Sequence, residues 1–469
     1  RISNIKDFSI YINIEEFNID GFLHANDLSY TSKPEDEIKR YQKGDEIEVK
    51  ILEIKPKEQK IKFGVKQIKE DPFVIFNDKK INDIITVQVK ATNQKGIFVS
   101  PEGSELEILI KKNQIAINVE DARTNRFIKG DRIDAAISEL NIEKRKVSLS
   151  IKLLEEIQRP LNTRSTTVAW LNRQTKNVAE ERLWEICKHN IQSYYNLIKY
   201  VGGLKNELRM VRLGSDVLPV YTEPTWSYFW RLPDVRKYCE QALAPVGQLA
   251  RDLDVRLSMH PGQFTVLASD SDDIVNRSVE EFEYHVDVAR WMGFGQQYQD
   301  FKINVHISGR KGPAGILDVY PRLSPEARNT ITIENDENSW GIEASLELRK
   351  HLALVLDIHH HWVHSAGEYI KPNDDRIKRV IDSWRGVRPT LHYSVSREEH
   401  LPGHRTDERP DFKKLCEQGL NKQKLRAHSD FMWNSRVNQW AGTFREHFDI
   451  MVEAKCKNLA SIPFEEETR

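Results

Sequence analysis

Apolar positions between Asn177 and Val201 fall at Leu183, Ile186, Cys187, Ile191, Tyr194, Leu197, Ile198 and Val201, a spacing that predicts a helix with one buried face. A short apolar run, LRMVRLG, follows at once. Six more such runs, DVRLSMH, FKINVHI, NTITIEN, LALVLDI, RPTLHYS and DIMVEAK, recur towards the C-terminus with helical stretches between them. Alternating strands and helices predict an α/β fold with a parallel sheet, and at this number a (β/α) barrel of the TIM type. The N-terminal third has a different rhythm. Alternating segments IEVKILEI, KIKFGVK, IDAAISEL and KVSLSIK, parted by charged turns, predict two small antiparallel all-β barrels. They are copies of one unit: the stretch KGDEIEVKILEIKPKEQKIKFGVK from Lys43 returns 86 positions later, at Lys129, as KGDRIDAAISELNIEKRKVSLSIK.

Composition divides the chain at the same place. All ten tryptophans, all four cysteines and every histidine except His24 lie beyond Arg159. A chain of 469 residues exceeds one ordinary core, and domains are expected over 1–72, 73–158 and 159–469, the first truncated at its start and lacking its opening strand. Lys+Arg 70 against Asp+Glu 71 leaves a net charge of −1, which excludes a uniformly basic coat as the means of holding nucleic acid. Any basic surface is therefore local. The widely spaced Cys187, Cys239, Cys416 and Cys456, with no CxxC pair, read as buried thiols of a reduced, cytoplasmic protein. No apolar run approaches the ~20 residues of a membrane helix, so no membrane partner is expected.

The polar residues that close the strands change the picture most. His260, His306, Glu334, Asp357, His392 and Glu453 each stand at or near the C-terminal end of a different strand. In a barrel those ends converge on one mouth, where barrel enzymes build their sites. Carboxylates packed together there need cations to stay ionised, and divalent ions provide both charge and Lewis acidity. His360 and His428 extend the set. In the run HHH only one or two of His359, His360 and His361 can face the mouth, and the remaining histidines read as structural. Lys455, beside Glu453, is a candidate phosphate contact.

In the N-terminal part, DFSIYI from Asp7 and GFLHANDLS from Gly21 resemble the S-one repeat, an oligonucleotide-binding barrel of bacterial small-subunit ribosomal proteins. The resemblance implies a single-stranded RNA-binding face of Phe8, Tyr11, Phe22 and His24, on whose rings bases would stack. The second copy keeps Phe98 but sets Ile108 and Ile110 where Phe22 and His24 stand, which implies weaker binding.

In the C-terminal part, HPGQF from His260 and ENDE from Glu334, joined in order by NVHISG, LVLDIHHH, LHYS, RAHSDF and MVEAK, resemble the ultraviolet damage endonucleases. What the resemblance implies is a manganese cluster held by His260, His306, Glu334, Asp357, His360, His392, His428 and Glu453, with Glu334, Glu453, His306 and Asp357 central to catalysis. Gln263 and Phe264 would probe the damaged bases, Phe264 keeping the ring of the family's usual Tyr without its hydroxyl. The implied reaction is hydrolysis of damaged double-stranded DNA immediately 5′ to a photoproduct. Three departures stand against it. RPLNTRSTTVAWLNRQ leads straight into the first helix, so the first barrel strand is missing. Thr390 stands where known members place a modified lysine that reaches the metals. The charged stretch 397–424 reads either as a solvated insertion or as a DNA contact. Two alternatives remain open: an apurinic-site endonuclease on the same barrel, and a non-catalytic RNA-binding protein fused to an inactive barrel.

Overall fold

The computed structural model describes residues 1–469 apart from Asn18, Gln59, Asn118 and Arg159, and apart from the side chains of Glu58 and Glu120. It divides into Arg1–Pro160 and Leu161–Arg469. The composition break at Arg159 lies outside the described residues.

Each N-terminal copy is a five-stranded sheet curled round its own core. The first contains β1 (Ile2–Lys6), β2 (Ser9–Ile14), β3 (Ile19–His24), β4 (Lys50–Lys55) and β5 (Lys60–Gly64) in the order β1-β2-β3-β5-β4. The second contains β6 (Ile84–Asn93), β7 (Gly96–Pro101), β8 (Ile108–Lys111), β9 (Arg132–Asn141) and β10 (Lys146–Ser150) in the order β10-β9-β6-β7-β8. Ile10, Ile12, Leu23 and Phe63 fill the first core. Gly21 is required there because a Cβ would lie 2.2 Å from the Phe63 ring. Two expectations need correction. The opening strand of the first copy is shortened, not lost: β1 pairs antiparallel with β2 through Ile5↔Ile10 and Lys6↔Ser9, and Ile2 joins the core. In the second copy Ile108 and Ile110 are buried, and it is Leu109 that pairs with Phe98 as Phe22 pairs with Tyr11. A strand's period of two makes a one-residue slip exchange its faces, so the true counterparts of Phe22 and His24 are Leu109 and Lys111.

The larger unit is a sheet of seven parallel strands in chain order: β11 (Met210–Leu213), β12 (Arg256–Met259), β13 (Lys302–His306), β14 (Ile331–Glu334), β15 (Ala353–Asp357), β16 (Thr390–Tyr393) and β17 (Asp449–Val452). The helix predicted from Asn177 runs over Lys176–Gly202 and buries Leu183, Ile186, Cys187, Ile191, Tyr194, Ile198 and Val201. Alternate strand residues Leu257, Met259, Ile303, Val305, Ile331, Ile333, Leu354, Leu356, Leu391 and Tyr393 belong to the large apolar core. Period two then turns the intervening residues to the barrel interior, and these are largely polar.

No strand occupies the eighth place among the described residues, and KVSLSIK does not fill it, because β10 is paired to β9. Side chains span the opening instead. Arg212 on β11 donates to Glu453 just past β17 at 2.5 Å, and Arg256 on β12 donates to Asp449 on β17 at 2.6 Å. Arg388 donates to the other Asp449 oxygen at 2.6 Å. The missing strand's stretch of chain is held to the Lys176–Gly202 helix, the Arg164 N–H donating to Asn190 Oδ1 at 2.7 Å and Asn190 Nδ2 donating back to Arg164 O at 2.8 Å.

Cys187 and Cys239 are buried, Cys456 is half-buried, and Cys416 is exposed, contrary to expectation, because its short helix turns Phe412 and Leu415 inward instead. No described helix is long and apolar enough to cross a membrane. The ion pairs at the open edge generate the first prediction. Asp449→Ala should lower the stability of this unit by about 1–3 kcal/mol, the loss of two hydrogen bonds between charged partners. Urea unfolding followed by tryptophan fluorescence measures this unit alone, since every tryptophan lies within it.

Candidate metal centre at the barrel mouth

The inward columns end in ligand-type side chains. Residues of one parity on β12 and its extension are Arg256, Ser258 and His260; on β13 they are Lys302, Asn304 and His306; on β14, Thr332 and Glu334; on β15, Val355 and Asp357; on β16, Thr390 and His392. Glu453 follows β17, its N–H bonded to Tyr393 O at 2.8 Å. His360 comes from the helix Ile358–His364, whose first turn is capped by Asp357 through the His360 N–H at 2.7 Å.

Glu334 lies at the centre of the cluster, with no exposed surface. His392 Nδ1 is 3.1 Å from its Oε1 and His360 Nδ1 3.5 Å, while His260 Nε2 is 3.5 Å and His306 Nε2 3.9 Å from Oε2. Glu453 reaches His392 Nδ1 at 3.3 Å and His428 Nδ1 at 3.6 Å, and Asp357 Oδ2 is 3.7 Å from His360 Nε2. All eight residues of the predicted ligand set therefore meet at one rim. Within it, His260, His306 and Glu334 form one triad and Glu334, Asp357 and His392 another, each with ligand atoms within 4.8 Å of one another.

The electrostatics of the cluster fit a cation. Burial opposes ionisation of Glu334, yet His392, His306 and His260 hold its carboxyl well below the usual range. Burial and the Glu334 and Glu453 charges push Asp357 the other way, well above its ordinary value. Burial also disfavours charge on His360, but Asp357, Glu334 and Glu337 raise it to about 9. A proton on His360 here offsets charge that the carboxylates would otherwise share with a metal. Asp357 Oδ2 and His306 Nδ1 are buried with no hydrogen-bond partner, which is costly unless a further group meets them. Imidazole and carboxylate donors in this number suit divalent ions.

Several supporting residues escaped the sequence reading. Asn304 donates to Glu334 Oε2 and accepts from Thr332 at 2.8 Å. Lys302, at the buried foot of the same column, has its amine 2.8 Å from His392 Nε2, and burial lowers it to about 7. Glu337, the last residue of ENDE, lies 3.8 Å from His360 Nε2 and accepts from Arg426 at 2.5 Å. Alternation back from His306 would have signalled Lys302 and Asn304; nothing local signals the Arg426 partnership. Thr390 is fully buried, its hydroxyl without a partner.

The other predicted residues stand apart from the donor cluster. Gln263 and Phe264 sit on the surface of the loop after β12, Phe264 with 72% of its area exposed. Lys455 pairs with Asp430 at 3.6 Å. His359 stacks on Trp362 with ring centres 5.8 Å apart, and His361 bonds Glu368 at 2.9 Å. The 397–424 stretch is neither solvated throughout nor loose: Leu401, Phe412 and Leu415 pack with Leu425 against Trp362 and Val363, and a Ser396↔His428 bridge closes its stem. On the first N-terminal copy, Tyr11 and Phe22 face each other across β2 and β3, as do Ser9 and His24, with Phe8 and Tyr11 half exposed.

Fold and rim together define a parallel barrel whose mouth gathers imidazoles and carboxylates that could hold metal ions, in a chain that also carries two small all-β barrels. A family model described as UV-endonuclease UvdE matches residues 146–466, and one described as S1 RNA binding domain matches 1–66 and 78–152. The UV DNA damage endonuclease of Bacillus velezensis is 25% identical over 316 residues, covering 65% of this chain and 88% of the relative. That of Bacillus cereus strain Q1 is 22% identical over 313 residues, covering 64% and 87%. The crystal structure of SacUVDE shares the fold with a TM-score of 0.51 at 20% identity, over 66% of this chain and 93% of that one. The chain belongs to the UvdE family of UV endonucleases.

Asn304 donates to the central carboxylate, so if the rim holds a divalent ion, Asn304→Ala should weaken its binding by roughly 10- to 100-fold, as loss of a group that orients a ligand does. Isothermal titration of the purified chain measures it.

Proposed function

We propose that the chain is a metal-dependent DNA repair endonuclease that hydrolyses the phosphodiester immediately 5′ to an ultraviolet photoproduct in duplex DNA. The observation that carries this reading is the convergence of imidazoles and carboxylates on Glu334, in a chain of this family. His260, His306, Glu334, Asp357, His360, His392, His428 and Glu453 would hold the ions, with Mn²⁺ the expected metal. Bound there, divalent ions supply Lewis-acid stabilisation of the charge that develops on the phosphate and the leaving oxygen.

The protein's own groups do the rest. Burial opposes ionisation of Glu453, but His392 and Arg212 hold its carboxyl down to about 2, keeping it available as a ligand. Burial opposes ionisation of Glu337 as well, but His360 and Arg426 hold its carboxyl below the usual range. Phe264, exposed beyond His260, offers a ring against a base that has left the stack, and Gln263 beside it offers an amide to a base edge. Lys455 presents an ammonium suited to a phosphate. A photodimer already stacks poorly, so opening the duplex there costs less than the few kcal/mol needed at intact steps. The net charge of −1 agrees with recognition by local groups instead of a basic coat.

The N-terminal face of Phe8, Tyr11, Phe22 and His24 is assigned to single-stranded RNA, each stacked base contributing ~1–3 kcal/mol. Lys111 and Leu109 at the equivalent places make the second copy the weaker binder. A reduced, cytoplasmic setting suits four cysteines that are all free.

With Mn²⁺, the purified chain should nick a duplex bearing one photodimer at the 5′ side of the lesion and leave a 3′ hydroxyl. Preferential cutting of an abasic duplex would support the apurinic-site reading instead, and failure to cut either would support the inactive barrel. Glu334→Gln is expected to abolish nicking while leaving the tryptophan emission spectrum unchanged. Phe22→Ala should reduce affinity for single-stranded RNA by roughly 5- to 150-fold, the equivalent of one stacked base, with duplex nicking unaffected; gel-shift and nicking assays on the same preparation separate the two.

A further inference from the structure

Each N-terminal copy has its own apolar core, and the two cores share no residue. Two such barrels on a short linker would ordinarily move as separate beads. One side chain reaches across. Arg145 stands in the turn between β9 and β10 of the second copy, and its guanidinium carbon lies 5.2 Å from the ring centre of Tyr30 in the first. The same group lies 5.1 Å from the ring centre of Phe73, a core residue of the second copy. It also donates to both carboxylate oxygens of Asp71, to Oδ1 at 2.8 Å.

Tyr30 is held from its own side as well. Lys66 Nζ lies 5.3 Å from the centre of its ring and donates to Asn26 O at 2.7 Å. The Asn26 N–H in turn donates to His24 Nδ1 at 3.2 Å, which ties the contact to the end of the strand that carries Phe22 and His24. Arg145 itself takes a φ of +51°, a left-handed conformation that is unfavourable for any residue with a Cβ and usually falls to Gly or Asn. The strain falls on the residue whose side chain makes the contact. Its planar guanidinium offers at once a fork for the Asp71 carboxylate and a flat face for the rings, which a lysine ammonium does not.

We propose that Arg145 clasps the two copies into one rigid platform, on which a single RNA strand is held by both faces at once. The first face carries Tyr11, Phe22 and His24, and the second offers Phe98, Leu109 and Lys111 at the equivalent places. Joining a weak site to a stronger one turns its binding into an intramolecular step, and a rigid joint spares the entropy of ordering a flexible pair. The second copy, the weaker binder, thereby contributes what it could not alone.

The inference rests on the RNA reading above, and two measurements on the full chain keep the two apart. Nitroxide labels are placed at Lys55→Cys in β4 and Lys90→Cys in β6, with Cys416→Ser and Cys456→Ser removing the accessible native thiols. Pulsed electron spin resonance should give one narrow distance between the labels, broadened by Arg145→Ala and equally by Tyr30→Ala. A broad distribution in the parent chain, or an unchanged narrow one in Tyr30→Ala, would overturn the clasp. Gel shifts then compare an oligouridylate of about 30 nucleotides, enough for two sites of ~4–16 each, with one of about 6, enough for one site. Arg145→Ala is expected to bind the long strand on the order of 10-fold more weakly, part of the roughly 10²- to 10⁴-fold that joining two sites can bring, and the short strand unchanged. Equal losses on both strands, or no loss on either, would overturn the shared platform. No binding of either strand by the wild type would remove the RNA reading and the platform with it, while the label distances still decide the clasp.

Discussion

Burying Glu334 is the constraint on which the rest of the barrel depends. A carboxylate removed from water is tolerated only where positive charge or hydrogen bonds surround it. The groups that surround Glu334 come from β12, β13, β16 and the helix after β15, as His260, His306 with Asn304, His392, and His360. Each reaches the carboxylate only while its strand keeps register, because a slip of one residue would turn it outward. Charge balance at the rim thus also specifies how the strands align.

The same balance explains features that look unrelated. Three carboxylates, Glu334, Asp357 and Glu453, share one concave space, and the neighbouring bases answer them: His360 is driven to hold a proton, Arg212 leans on Glu453, and Arg426, just past the 397–424 stretch, reaches Glu337. Arg212 also lies at the open side of the sheet, where a closed barrel would have had an eighth strand to pair with β11 and β17. With Arg256 and Asp449 below, it joins the two edges by ion pairs in place of a ladder. An incomplete barrel is thereby held in the geometry that the rim requires.

Much of this architecture was legible along the chain. Seven apolar runs separated by helical stretches specified the strands, and their terminal His, Glu and Asp residues marked the rim, because parity along a strand is a local property. The N-terminal repeat was legible for the same reason. Its second copy shows where local reading ends: a single residue of misalignment assigned Ile108 and Ile110 to the exposed face, when both are core and Leu109 and Lys111 take those places. The repeat in the sequence does not carry its own register across a loop, whereas pairing with β7 does.

The sequence by itself determined the kinds of element, their order and the chemical character of the strand ends, since those follow from periodicity and residue type. Only the tertiary structure decided which side chains meet. Lys302 beneath His392, Asn304 against Glu334, Arg426 on Glu337 and the ion pairs across the open edge all join residues far apart in the chain. Their partnership depends on strand neighbours and depth within the barrel, which no local pattern encodes.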